Sequence, residues 1–250
     1  MKSSLIDYTL HLADNTLILA QRNAEWCGHG PILEQDIAIT NISLDLLGQS
    51  RNFYQYAAIL IGDNSTEDSL AYLRKEREFK NCLLVEQPNA DWAHTILRQF
   101  IFSVYQYLQY EKLQHSKDEQ LAAIAAKALK EVTYHLRWSS EWVIRLGDGT
   151  NESHERLQKA INELWQYTGE FFIAADFESS LVKEGISIDP VSLLEEWTKK
   201  TNEVFAEATI TIPGKAFMQS GGKKGIHSEH MGYILSDLQF MQRAYPNSEW

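Results

Sequence analysis

DIAITNISLDLLGQSRNFYQYAAILI, residues 36–61, runs for about seven helical turns with no proline and one glycine, Gly48. Apolar side chains fall on most of its sides at helical spacing. A helix of that kind is buried on several faces, either inside a large bundle or against another subunit. Both readings stand on this stretch alone.

Working outward, the segment extends back to about Leu33, and GHGP at 28–31 separates it from an apolar-periodic segment at about 5–26. GDNST at 62–66 ends it, and a short segment at about 66–74 follows. A third long segment starts after Pro88, with Asn89 as its expected N-cap, and runs to about 114. A fourth runs from about 116 to 146, where GDG at 147–149 stops it. Four long segments with short joins inside each pair, and a crossover over 62–88 between the pairs, give the ferritin-like pattern. Further helices are expected at about 151–184, 190–208 and 227–244, with 209–226 as the longest irregular stretch. The sequence thus predicts one all-α, ferritin-like domain over 1–250. Its four-helix core lies within 1–147, and the extra helices of 151–250 pack on it.

Composition narrows the function. Lys and Arg number 23 against 34 Asp and Glu, a net charge of −11, so the broad basic surface of a nucleic-acid binder is missing. The two cysteines, Cys27 and Cys82, form no CxxC pair, which fits a reducing compartment. The first twenty residues are broken by Asp7, His11, Asp14 and Asn15, so neither a signal peptide nor a membrane span is expected there. The expectation is a cytoplasmic protein. Trp26, Tyr54, Tyr56, Tyr105, Trp138 and Trp142 read as core or interface residues rather than as a substrate box.

A ferritin-like bundle raises the question of metal. Di-iron carboxylate bundles take one Glu from each of two helices and a Glu-x-x-His pair from each of the other two. Two close cations need bridging carboxylates to offset their charge, and imidazoles complete the shell. In KEVTYHLRWS, residues 130–139, His135 stands at the histidine position, but three residues earlier is Val132. Glu131 is one residue, about 100°, out of register. In the second segment Gln49 stands where a histidine would, Leu46 where its glutamate would, and Asp45 is again one residue early. The motifs read LLGQ and VTYH. Counting back across each hairpin puts the antiparallel neighbours of Leu46 and Val132 near residues 14 and 102, within roughly a turn. The first count meets Asp14 and Asn15. The second meets Arg98 and Gln99, and no Asp or Glu lies between Asp91 and Glu111. Asn15, Asp45, Leu46, Gln49, Arg98, Glu131, Val132 and His135 therefore read as a degenerate site. Arg98 either pairs with Asp45 or Glu131 or faces solvent. His135 reads as a core histidine before it reads as a ligand.

Four stretches, EWCGHGPILEQDIAITNISLDLLGQSRNF, LLVEQPNADWAHTILRQF, KEVTYHLRWS and GGKKGIHSEHMGYILSDLQFMQR, closely resemble the C-subunit family of ring-1,2-phenylacetyl-CoA epoxidase. That enzyme is the bacterial multicomponent monooxygenase of phenylacetate degradation. The resemblance covers nearly the whole chain. It implies a non-catalytic, structural subunit that forms a heterodimer with a di-iron catalytic subunit of similar fold. It implies no cofactor in this chain, di-iron in the partner, and NADPH, FAD and an iron–sulfur centre in a separate reductase. The acyl-CoA substrate is then met only indirectly. The family's catalytic subunit carries intact Glu-x-x-His motifs and this chain does not, so no catalytic or metal residue carries over. Two other readings remain open. One is an active di-iron oxidoreductase with an unusual ligand set drawn from Asp45, Glu131 and His135. The other is a coenzyme A-binding module.

The last reading rests on GGKKGIHSEHMG, residues 221–232. Lys223 and Lys224 ahead of a helix start can grip a phosphate, such as that of coenzyme A, or meet a partner. The stretch matches no P-loop pattern. His227, Glu229 and His230 form an HxxH-like group with no evident third ligand. Glu229 reads instead as a first-turn acid favoured by the helix dipole.

Overall fold

The structure is a computed structural model that describes residues 2–214, 216–246 and 248. The described residues are helical, with no strand among them, and they divide into two compact units. One spans Met1–Pro88 together with Gly221–Trp250, and the other spans Asn89–Ser220.

The first unit is built on a helical hairpin, α1 (Lys2–Ala24) and α2 (Leu33–Ile61). The two helices pack on each other, and Tyr8, Leu12, Ile18 and Leu19 of α1 and Ile39, Ile42, Leu46 and Phe53 of α2 are buried. The turn between the helices is held by Asp36, whose carboxylate accepts from the Gly28 and Gly30 amides at 3.2 and 3.1 Å. Those two bonds hold its pKa below the usual carboxylate range. Gly62 closes α2 in the left-handed conformation, φ 81°, with its amide donating to the Ala58 carbonyl. The crossover then carries α3 (Glu67–Tyr72) and two short 3₁₀ turns at Glu76–Glu78 and Leu83–Glu86.

The second unit is built on α4 (Trp92–Leu113) and α5 (Glu119–Gly147), again an antiparallel hairpin. Asp91 caps α4 by accepting from the His94 amide at 2.9 Å, and Asp118 caps α5 through the Leu121 amide. The expected cap, Asn89, is displaced from that role: its Oδ1 accepts instead from Arg98 at 2.6 Å. α6 (Asn151–Leu164) follows, started by a Thr150–Ser153 capping box. The expected single helix over 151–184 is broken. After Leu164 the chain takes 3₁₀ turns at Trp165–Tyr167 and Gly169–Phe172, then α7 (Asp176–Val182). Aromatic packing explains the break. Phe171 stacks on Tyr105 at 4.6 Å, and Trp165 packs on Trp197 at 5.7 Å, positions that one straight helix does not supply together. α8 (Leu194–Glu207) completes this unit.

The chain returns to the first unit at Gly221 and ends in α9 (Glu229–Ala244), which packs on α3 and α1. Among the described residues no helix is long and apolar enough to cross a membrane.

Candidate functional site

In the first hairpin, both residues that register places opposite Leu46 are committed to protein contacts. Asp14 is fully buried. Its Oδ1 accepts from the Tyr54 hydroxyl at 2.6 Å and from Arg74 Nη2, and its Oδ2 accepts from Arg74 Nη1 at 3.1 Å and the Lys80 amide at 2.8 Å. The same guanidinium lies 4.1 Å from the centre of the Phe79 ring. Burial by itself lowers the Arg74 pKa, but the charges and hydrogen bonds of Asp14 and Tyr54 together outweigh it and the net direction is up. Burial and the Asp14 charge push the Tyr54 hydroxyl well above its usual pKa. Asn15 accepts from the Cys82 amide at 2.8 Å, and its amide donates to the His11 ring. His11 Nδ1 in turn donates to the Lys80 carbonyl at 2.7 Å. Leu46 and Gln49 are buried on α2 and Asp45 is half-buried.

In the second hairpin, Arg98 of α4 is fully buried, so it does not face solvent. Its side chain is long enough to reach back past the first turn of the helix to Asn89 Oδ1. Gln99 donates to Ser103 Oγ at 2.8 Å. On α5, Val132 and His135 are fully buried and Glu131 is half-buried. Glu131 acts on a neighbour: burial chiefly, with the Glu131 charge, raises the pKa of the Tyr110 hydroxyl.

A di-iron group does not fit these donors. The two glutamate positions hold the buried hydrocarbons Leu46 and Val132, and one histidine position holds an amide, Gln49. On α4 the register count meets Arg98, a buried guanidinium, and no carboxylate; a guanidinium cannot ligate a cation. Among the described residues, no three His, Cys, Asp or Glu side chains are grouped to hold a metal.

The glycine–lysine loop is also placed. Lys223 is buried and Lys224 exposed, on a 3₁₀ turn, Gly222–Lys224, that ends before α9 begins. Only Lys224 is presented at the surface. Gly222 packs so closely that a Cβ there would lie 2.1 Å from the Asn81 carbonyl oxygen. Gly222→Ala is expected to destabilise the chain by about 1–3 kcal/mol, read as a lowered urea midpoint.

His227 is not a surface ligand. Its Nδ1 donates to Glu86 Oε2 at 2.9 Å and its Nε2 to the Phe79 carbonyl at 3.0 Å. Glu86, fully buried, also accepts from the Ser228 amide at 2.6 Å and from Asn81 Nδ2 at 3.0 Å. Burial by itself lowers the His227 pKa, but the Glu86 contact and the Phe79 carbonyl outweigh it and raise it. An imidazole that donates from both nitrogens is the protonated form. Nothing in LLVEQ marked Glu86 as the buried partner of a histidine 141 positions later. The same holds for His94, whose two nitrogens lie 2.7 Å from Asp91 and 2.8 Å from Glu163.

Paired long helical hairpins with a crossover define an all-α protein of the ferritin-like class. The chain belongs to the phenylacetic acid catabolic protein family, whose model matches residues 1–250. A curated relative, the C subunit of 1,2-phenylacetyl-CoA epoxidase from Escherichia coli (strain K12), is 48% identical over 248 residues, 99% of this chain and 100% of the relative.

Proposed function

We propose that the chain is the structural, non-catalytic subunit of a multicomponent di-iron monooxygenase that epoxidises the ring of phenylacetyl-CoA. It holds the catalytic subunit in its active assembly. The catalytic subunit carries the iron, and a reductase delivers electrons from NADPH. The observation that carries this reading is the donor set: Leu46, Gln49, Val132 and Arg98 occupy the register where a di-iron bundle needs carboxylates and imidazole. The 48% identity to a phenylacetyl-CoA epoxidase component supports the reaction assigned to the whole complex.

The test is reconstitution. Co-expressed with the catalytic subunit, the chain is expected to co-elute with it in size exclusion and to be required for NADPH- and oxygen-dependent turnover of phenylacetyl-CoA. His135→Ala is expected to leave turnover of the assembled complex within about twofold, because a residue that touches no reacting atom removes no transition-state interaction. Loss of turnover in an intact complex would instead assign His135 to the chemistry.

A further inference from the structure

α2 carries a second apolar face besides the one packed on α1. Leu33, Ile37, Leu44 and Leu47 are 72%, 51%, 59% and 38% exposed. Their spacing of four, seven and three residues sets them in one row about 21 Å long. An exposed row of large aliphatic residues on one helix marks an interaction surface.

The row leads into a cleft of about 310 Å³ between α2 and α3, and Leu47 belongs to both. Leu17, Leu47, Ala71 and the ring of Tyr72 give the cleft apolar walls, and Arg51, Glu67 and Asp68 stand among its polar lining. Glu67 is already engaged by Gln55 at 2.9 Å and Arg51 at 3.4 Å. Ser50 also lines the cleft. It is 2% exposed, and its hydroxyl has no hydrogen-bond partner in the protein. A buried hydroxyl of that kind is costly unless something meets it. Mid-helix serines usually bond to the carbonyl four residues back, and this one does not.

We propose that this cleft is the anchor pocket of a docking face on α2. Its occupant is an aromatic side chain with an O–H or N–H end, carried on a basic-flanked helix of the partner subunit. This rests on the reading that a partner subunit binds. The apolar walls suit a ring, and Ser50 Oγ suits its polar end. Tyrosine and tryptophan are the residues that most often fill such anchor pockets at interfaces. Charge chooses the flanks. Residues 33–68 hold six acids (Glu34, Asp36, Asp45, Asp63, Glu67 and Asp68) against one cation, Arg51. Glu34 and Asp45 lie three turns apart along one side of the row. A second copy of this chain would bring the same acids against them, which disfavours self-association.

The test measures affinity for the purified catalytic subunit by calorimetry, for wild type and for Ser50→Ala, Ala71→Leu and Leu44→Glu. Each variant is first checked for unchanged melting. Ser50→Ala is expected to weaken binding about tenfold, because the anchor's polar end loses its partner. Ala71→Leu, which fills the cleft, and Leu44→Glu, which charges the row, are each expected to weaken it a hundredfold or more. Wild-type affinity should fall as sodium chloride rises from about 0.05 to 0.5 M. If wild type binds and both cleft variants bind equally well, the anchor pocket is overturned while the structural-subunit reading survives. If wild type does not bind at all, both fall. Salt-independent binding overturns the basic flanks. Self-association of wild type that Leu44→Glu abolishes overturns the choice of occupant.

Discussion

Asp14→Asn is expected to lower the unfolding free energy by about 3–5 kcal/mol, or ~6–20 °C in Tm. The carboxylate accepts from Arg74, Tyr54 and the Lys80 amide inside the first unit, and the Arg74 side chain is only 9% exposed. Removing the charge strands a buried guanidinium, which costs more than the pair itself contributes. The double change Asp14→Leu with Arg74→Met is therefore expected to be less damaging than either single change, since it leaves no stranded charge. Thermal unfolding followed by circular dichroism decides between these outcomes. Additive losses in the double variant would show that the two side chains act independently.

The second large effect is expected at Glu86. Glu86→Ala removes the acceptor for His227, for the Ser228 amide and for Asn81 at once. About 3–5 kcal/mol should be lost, concentrated in the segment that leads into α9. Hydrogen exchange should then accelerate over 227–244 while the α1–α2 core stays protected; uniform acceleration would contradict a local latch. The pH dependence has a definite sign. The His227 pKa is raised in the folded chain, so its ionic contribution is full below the unfolded value of about 6.5 and fades as pH rises through the folded value. The stability gap between wild type and His227→Asn should narrow from about pH 6 to pH 9. A gap that widens with pH would reverse the assignment.

Much of the architecture was legible because it rests on local chemistry. α2 matches its sequence-read bounds because its apolar run is long and Gly62 ends it in a conformation that glycine adopts freely. The break at 165–175 was not legible, since it follows from Phe171 and Trp165 meeting Tyr105 and Trp197, contacts that no local pattern encodes. The cap of α4 slipped from Asn89 to Asp91 for a related reason: the Arg98 side chain claims Asn89 from the helix's second turn. The register count turns on Leu46 and Val132, and both are buried in the structure. What register could not reveal was what Asp14 and His227 do instead. Arg74 lies 60 positions from Asp14, and Glu86 lies 141 from His227. The stretch 36–61 reads as apolar on most sides because α2 carries two apolar rows. One row, Ile39, Ile42, Leu46 and Phe53, is buried, and another, Leu33, Ile37, Leu44 and Leu47, is exposed.

The central claim is that the iron chemistry belongs to another chain. Its most direct test is iron analysis of this chain expressed alone in iron-replete medium, alongside the complex with the catalytic subunit. The account predicts iron far below one atom per chain in the isolated protein, with the iron of the complex following the catalytic subunit. Tightly bound iron approaching two atoms per chain in the isolated protein would contradict it.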